Sequence, residues 1–142
     1  MFKNILLPVD LEEEKGSAKA LSVALDLCKD HNAKLHVLAV VPGFSMSMVS
    51  QYFPKDFEEK TIADTVKRLK AHVVKNVPSD IKAKAIVANG NVYEEILHTA
   101  DEINCDLVVI TAHRPDLKDF LLGPNAARVV RHAKCSVLVV RE

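Results

Sequence analysis

The sequence has no excess of charge of either sign and no long hydrophobic run. Its 142 residues include 19 Lys and Arg and 19 Asp and Glu, so net charge offers no case for nucleic acid or an acidic membrane as a partner. No apolar run approaches the roughly 20 residues that cross a bilayer. The N-terminal stretch has no signal-peptide pattern, and we therefore expect a cytoplasmic protein that contacts no membrane.

Cysteines are few, and familiar catalytic motifs are absent. Cys28, Cys105 and Cys135 are odd in number and far apart in sequence, so they predict neither a disulfide framework nor a Cys-x-x-Cys zinc site. We interpret them as small buried hydrophobes. The chain contains no Gly-x-x-x-x-Gly-Lys-[Ser/Thr] loop and no Gly-x-Ser-x-Gly elbow, which argues against a P-loop enzyme and a serine hydrolase. The six histidines show no metal-ligand spacing on one helix face.

Apolar runs alternate with helix-period segments along the chain. The runs are nearly continuous, as in parallel strands covered on both faces; they are NILLPV at 4–9, LHVLAVV at 35–41, a weaker KAKAIVA at 82–88, LVVIT at 107–111 and SVLVV at 136–140. The helical patterns cover 17–30, with Ser17 as N-cap, and then 57–76, 92–103 and 125–132.

This order of elements predicts an α/β fold with one doubly wound, Rossmann-like sheet of five parallel strands and helices on both faces. A single domain over 1–142 is consistent with the length. We expect four of the strand residues to belong to the core: Leu6, Val37, Val108 and Val139.

Polar residues follow two of the strands, at the end of an open parallel sheet where ligands bind. Asp10 follows the first strand and could accept hydrogen bonds from hydroxyls or an exocyclic amine, or could merely begin a turn. His113 and Arg114 follow the fourth strand, and Gly123 precedes the last helix. A helix N-terminus and an arginine can together bind a phosphate chain. The alternative is an ordinary strand-to-helix connection with a solvated arginine.

The connection from Pro42 to Asp56 is long for a compact domain and rich in apolar residues. We expect it to be either a mobile segment or a lid. Its apolar part, residues 43–53, could also serve as a docking surface for another protein.

The chain resembles the universal stress protein (UspA-type) family over essentially its whole length. The resemblance rests on ILLPVD, LHVLAVVP, Gly90-Asn91-Val92 with EEIL, CDLVVI and LLGPNAARVVRHAKCSVLVV. It implies a parallel sheet in the order 3-2-1-4-5, homodimers and, in one branch, ATP bound through Gly-x-x-Gly-x9-Gly-[Ser/Thr]. Here Thr111 and Arg114 occupy the first two glycine positions, and Pro124 replaces the hydroxyl residue. The His-Arg-Pro loop is similar to a variant subgroup found in enterobacterial members.

The resemblance implies an ATP site, with or without Mg²⁺, in which Asp10 and Val40 contact the adenosine. The full set of expected binding residues is Pro8, Asp10, Val40, Ile110, Thr111, His113, Arg114, Gly123, Pro124, Asn125 and Ala126. Replacing the hydroxyl residue by Pro124 weakens the expected phosphate binding by roughly 1–3 kcal/mol. A contact from Arg114 can restore about the same amount. We therefore expect an altered site that still binds nucleotide.

Two functions remain open at this point. The first is a nucleotide-sensing stress-response module that hydrolyses ATP slowly at most, because no catalytic base or metal cluster is evident. The second is a protein-interaction module with a vestigial pocket and an unidentified protein partner. In both cases we expect a homodimer through the last strand, Ser136 to Val140, because an unpaired apolar edge strand invites pairing with a second copy.

Overall fold

Five strands form one parallel sheet in the order β3-β2-β1-β4-β5. The computed structural model describes residues 1–42, 57–112 and 123–141. The strands are β1 (Asn4–Pro8), β2 (Lys34–Pro42), β3 (Ala83–Gly90), β4 (Leu107–Thr111) and β5 (Ser136–Val140). The predicted sheet and its strand order are confirmed.

Two layers of helix cover the sheet, one on each face. The helices are α1 (Glu14–His31), α2 (Phe57–Asn76), α3 (Val92–Glu102) and α4 (Pro124–His132). Successive strand residues point to opposite faces, so Ile5 and Leu7 pack with α1 and α2, whereas Leu6 packs with α3 and α4. This alternation explains why the strands read as continuous apolar runs.

The predicted core residues differ in burial according to strand position. Leu6, Val37 and Val108 are fully buried, whereas Val139 is only partly buried. The reason is topological, because β5 pairs with β4 alone and forms an edge of the sheet.

Two local predictions were wrong. Ser17 does not cap α1, because the helix begins at Glu14 and Ser17 is buried within it, its hydroxyl donating to the Glu14 carbonyl at 3.3 Å. Of the cysteines, Cys28 is buried, but Cys105 and Cys135 are partly exposed.

Several predictions fall on parts of the chain that lie outside the described residues. These are the apolar segment at 43–53, most of the Pro42–Asp56 connection, and the residues His113 and Arg114. Among the helices that the structure does describe, none combines the length and the apolar character needed to cross a membrane.

Candidate functional site

A cavity of about 730 Å³ opens at the carboxyl ends of β1, β2 and β4. Strand β1 pairs with β2 on one side and with β4 on the other, so the direction of winding reverses here. Open parallel sheets bind their ligands at this kind of switch point. The volume lies within the range of about 300–1,000 Å³ that is typical of small-molecule sites.

The residues that the sequence singled out converge on this cavity. Those that line it are Pro8, Asp10, Val40, Ile110, Thr111, Gly123, Pro124, Asn125 and Ala126. They come from β1, β2, β4 and α4, and from the connections that follow or precede these elements. His113 and Arg114 lie outside the described residues, so the structure does not place them.

Apolar side chains form much of the cavity wall. Leu38, Ile96 and Ile110 are buried and line it, and Val40 lines it while partly buried. A wall of this kind excludes water from the flat face of a ligand's ring. The polar groups around the wall then make the hydrogen bonds that orient the ligand.

Asp10 begins a turn, which is one of the two alternatives that its sequence position suggested. It lines the cavity and is exposed to solvent. Its Oδ1 accepts from the Glu12 N–H at 3.0 Å, and its carbonyl accepts from the Glu13 N–H at 3.1 Å. The turn therefore fixes the orientation of a carboxylate that belongs to the cavity lining.

The N-terminus of α4 meets the cavity at Gly123. This residue has φ 85° and ψ 159°, a conformation that side chains disfavour. Pro124 is the first helical residue and has no N–H, so the free donors of the first turn are those of Asn125 and Ala126. The first turn contains no acidic residue, and these donors and the helix dipole therefore suit an anion.

Thr111 brings an unsatisfied polar group to the site. Its Oγ1 is buried and has no hydrogen-bond partner within the described ranges. A buried hydroxyl without a partner costs about 1–3 kcal/mol, which a ligand that hydrogen bonds to it can recover.

The sequence argument missed one wall of the cavity, which is contributed by α2. The residues involved are Thr61, Asp64, Thr65 and Arg68. They follow helical spacing next to the apolar stripe of α2, but a solvated helix face has the same pattern. No sequence signal therefore separated them from ordinary surface residues.

Arg68 is held in place by the turn that follows β1. Its Nη1 donates to Glu12 Oε1 at 2.8 Å, and its Nη2 donates to the Leu11 carbonyl at 3.4 Å. The hydrogen bond with Glu12 and the charge of Glu12 raise the pKa of Arg68. Of the described residues that line the cavity, Arg68 alone has a cationic side chain, whereas four carry carboxylates: Asp10, Glu12, Glu13 and Asp64.

Comparison with protein-family models matches residues 1–141 to the universal stress protein family. The chain belongs to that family. Universal stress protein G of Escherichia coli O157:H7 is 38% identical over 144 residues, which cover 99% of this chain and 100% of the relative. Universal stress protein YxiE of Bacillus subtilis is 31% identical over 150 residues, covering 99% of this chain and all of the relative.

Solved structures of universal stress proteins share the fold. UspA from Lactobacillus plantarum superimposes with a TM-score of 0.72 at 25% identity, covering 99% of this chain and 98% of its own. A universal stress protein in complex with cAMP gives a TM-score of 0.64 at 22% identity, with coverage of 98% and 97%. The universal stress protein from Archaeoglobus fulgidus in complex with dAMP gives 0.62 at 16% identity, with 97% of each chain covered.

Proposed function

We propose that this universal stress protein binds an adenine nucleotide, with ATP as the expected ligand, and acts as a nucleotide-sensing module. The observation that carries the proposal is the cavity at the switch point of the sheet, lined by residues from β1, β2, β4 and α4. Two solved members of the family are complexes with the adenine nucleotides cAMP and dAMP. These complexes support an adenine nucleotide as the class of ligand.

The adenosine half of the ligand would lie against the apolar wall. Val40 is near the carboxyl end of β2, where backbone N–H and C=O groups can pair with the edge of the adenine ring. The Asp10 carboxylate would accept hydrogen bonds from ribose hydroxyls, because its orientation is set by the Glu12 N–H. A charge-assisted hydrogen bond of this kind contributes about 1.5–3 kcal/mol.

The phosphates would lie toward the N-terminus of α4, where Asn125 and Ala126 supply N–H donors and Gly123 permits close approach. The hydroxyl of Thr111 would gain a partner there. We further expect Arg114 to add a positive charge, since the described lining residues include one cation and four carboxylates.

Hydrolysis is expected to be slow at most. Within the described residues, no group of three or more His, Cys, Asp or Glu side chains could hold a metal ion. Any Mg²⁺ would therefore be held chiefly by the phosphates of the nucleotide, and the protein would contribute binding and orientation. Bound nucleotide would act by favouring one conformation or one partner over another.

Ligand-dependent unfolding tests this proposal. ATP with Mg²⁺ at about 100 times its dissociation constant should raise the free energy of unfolding by about 2.7 kcal/mol. Asp10→Asn should weaken the affinity measured by calorimetry about tenfold or more, because it removes the charge but keeps the shape. Arg114→Ala should abolish most of the ATP-dependent shift.

Asp26→Asn is the matched control, since Asp26 is exposed on α1 and does not line the cavity. This variant should bind ATP like the wild type. Melting curves unmoved by millimolar ATP, ADP and AMP would reject nucleotide binding and leave the protein-interaction module as the better explanation.

A further inference from the structure

Two cysteines lie next to each other at the amino ends of β4 and β5. This end of the sheet is opposite the cavity of about 730 Å³. Cys105 lies two residues before β4, Cys135 directly precedes β5, and Leu107 pairs with Ser136 where the strands begin. Both cysteines pack against the same hydrophobic cluster, and their side chains are close enough to interact. The fold therefore brings together two thiols that are distant in sequence.

The two cysteines also line a common cavity of about 110 Å³. Since a water molecule occupies about 30 Å³ in the liquid, this cavity has room for a very small solute. His132 and Lys134 line the same cavity and are exposed. Cys105 and Cys135 are themselves partly exposed, whereas Cys28 is buried.

We propose that Cys105 and Cys135 form a redox-active dithiol, which a hydroperoxide converts to an intramolecular disulfide. Continuing the register places Cys135 opposite Asp106, so Cys105 is offset from Cys135 by one position. A spacing of about 4.8 Å between strands and a rise of about 3.3 Å per residue put the two Cα atoms about 6 Å apart, within the roughly 4.4–6.8 Å that disulfides span. The bond would tie the edge strand β5 to β4. It would also close a loop that contains Gly123 and the first turn of α4, which line the cavity of about 730 Å³. The proposal does not depend on nucleotide binding.

The two thiols differ in environment, and we therefore assign them different steps of the oxidation. Burial, followed by the neighbouring Cys135, raises the pKa of Cys105 above its ordinary value. The Cys105 thiol also donates to the Leu107 carbonyl at 3.1 Å. Cys105 therefore stays protonated at neutral pH and is a poor first nucleophile. We therefore assign the first reaction with the peroxide to the Cys135 thiol.

In the first step the Cys135 thiolate attacks one oxygen of hydrogen peroxide. The O–O bond breaks, a sulfenic acid forms, and the departing hydroxide takes up the proton that the thiol released, giving water. In the second step the Cys105 sulfur attacks the Cys135 sulfur, the S–O bond breaks, and the departing hydroxide takes the Cys105 proton. Two thiols and one peroxide thus become one disulfide and two waters, with two electrons passing to the peroxide.

The test treats the reduced full-length protein with hydrogen peroxide and measures its intact mass, then unfolds and alkylates the protein and measures the mass again. The disulfide should lower the mass by about 2 Da before alkylation, the weight of two hydrogen atoms. Of the three cysteines, Cys28 alone should then be alkylated, and peptide mapping should recover Cys105 joined to Cys135. Dithiothreitol should restore all three reactive thiols. The oxidised protein should melt roughly 5 °C or more above the reduced form.

Three single variants supply the controls. Cys28→Ser should form the disulfide like the wild type. Cys105→Ser should accumulate a sulfenic acid on Cys135 that dimedone traps, since the second thiol is missing. Cys135→Ser should give neither the disulfide nor the dimedone adduct.

Other patterns of oxidation would overturn the proposal. These are three alkylatable thiols remaining after peroxide treatment, disulfides that appear only between two chains on a non-reducing gel, and a bond that includes Cys28. Equal dimedone labelling of the Cys105→Ser and Cys135→Ser variants would reject the assigned order of steps.

Discussion

Arg68 of α2 donates to Glu12 in the turn after β1, with 2.8 Å between Nη1 and Oε1, and this ion pair lies at the lining of the large cavity. Both side chains are substantially exposed, so the pair contributes little to folding. Arg68 offsets part of the negative charge of the cavity lining, and we expect this to favour an anionic ligand.

Replacing Arg68 by glutamine should separate binding from stability. We expect the affinity for ATP to fall about tenfold, because the carboxylates around the cavity lose their neighbouring cation, while the free energy of unfolding changes little. Calorimetry and urea denaturation measure the two quantities. Arg131→Gln is the control, since Arg131 is an exposed residue of α4 that does not line the cavity. Equal affinities for the two variants would show that Arg68 has no role in binding.

A glycine-to-alanine change should have opposite effects on the free energy of unfolding at two positions. Gly123→Ala should lower the free energy of unfolding by about 1–2 kcal/mol, because φ is 85° there and a Cβ introduces strain. Gly16→Ala should raise it by about 0.5–1 kcal/mol, since Gly16 lies inside α1 and does not have a positive φ. Chemical denaturation of both variants checks the signs. A Gly123→Ala protein as stable as the wild type would show that φ is not constrained at this position.

We propose that β5 pairs with β5 of a second copy, since it forms an edge of the sheet. Leu138 is the better position for a test, because it is 38% exposed, whereas Val139 packs partly against the core. Leu138→Lys should convert a dimer into a monomer at micromolar concentration, as measured by sedimentation, because the seam would contain two like charges. Val74→Lys, at a position 83% exposed on α2, should leave the association unchanged. A wild type that is monomeric under these conditions would rule out the proposed seam.

His36 should make stability depend on pH. The ring is buried in β2, and burial, followed by the charges of Lys34 and Lys84, lowers its pKa from the ordinary 6.5. The unfolded chain therefore takes up a proton at a higher pH than the folded chain does. The contribution of His36 is fully present above pH 6.5 and is lost as the pH falls below that value.

The variant that checks this is His36→Leu, which cannot titrate. Between pH 7 and pH 5 the wild type should lose more stability than the variant does, as followed by urea unfolding at each pH. Parallel pH profiles for the two proteins would mean that His36 titrates alike in the folded and unfolded chains.

The candidate site was predictable wherever it depends on strand ends. Asp10 follows a recognisable strand, Thr111 ends another and Gly123 precedes a helix, and in a doubly wound sheet such positions converge at the switch point. The contribution of α2 was not predictable, since the polar residues near Arg68 have the spacing of an ordinary solvated face. The early start of α1 was missed for a local reason, because Ser17 resembles a cap although the backbone of Glu13 already begins the turn.

By itself the sequence determined the class of fold, because apolar runs and helical periods indicate which faces must be buried. The strand order was implied by the resemblance to the family and not by these patterns. Only the tertiary structure decided which distant residues became neighbours. Arg68 reached Glu12 because α2 packs on the same face of the sheet as α1. Cys105 reached Cys135 because β4 and β5 begin in register. Burial patterns are local properties of a chain, whereas these contacts depend on how separate elements dock, and residue spacing alone does not encode that.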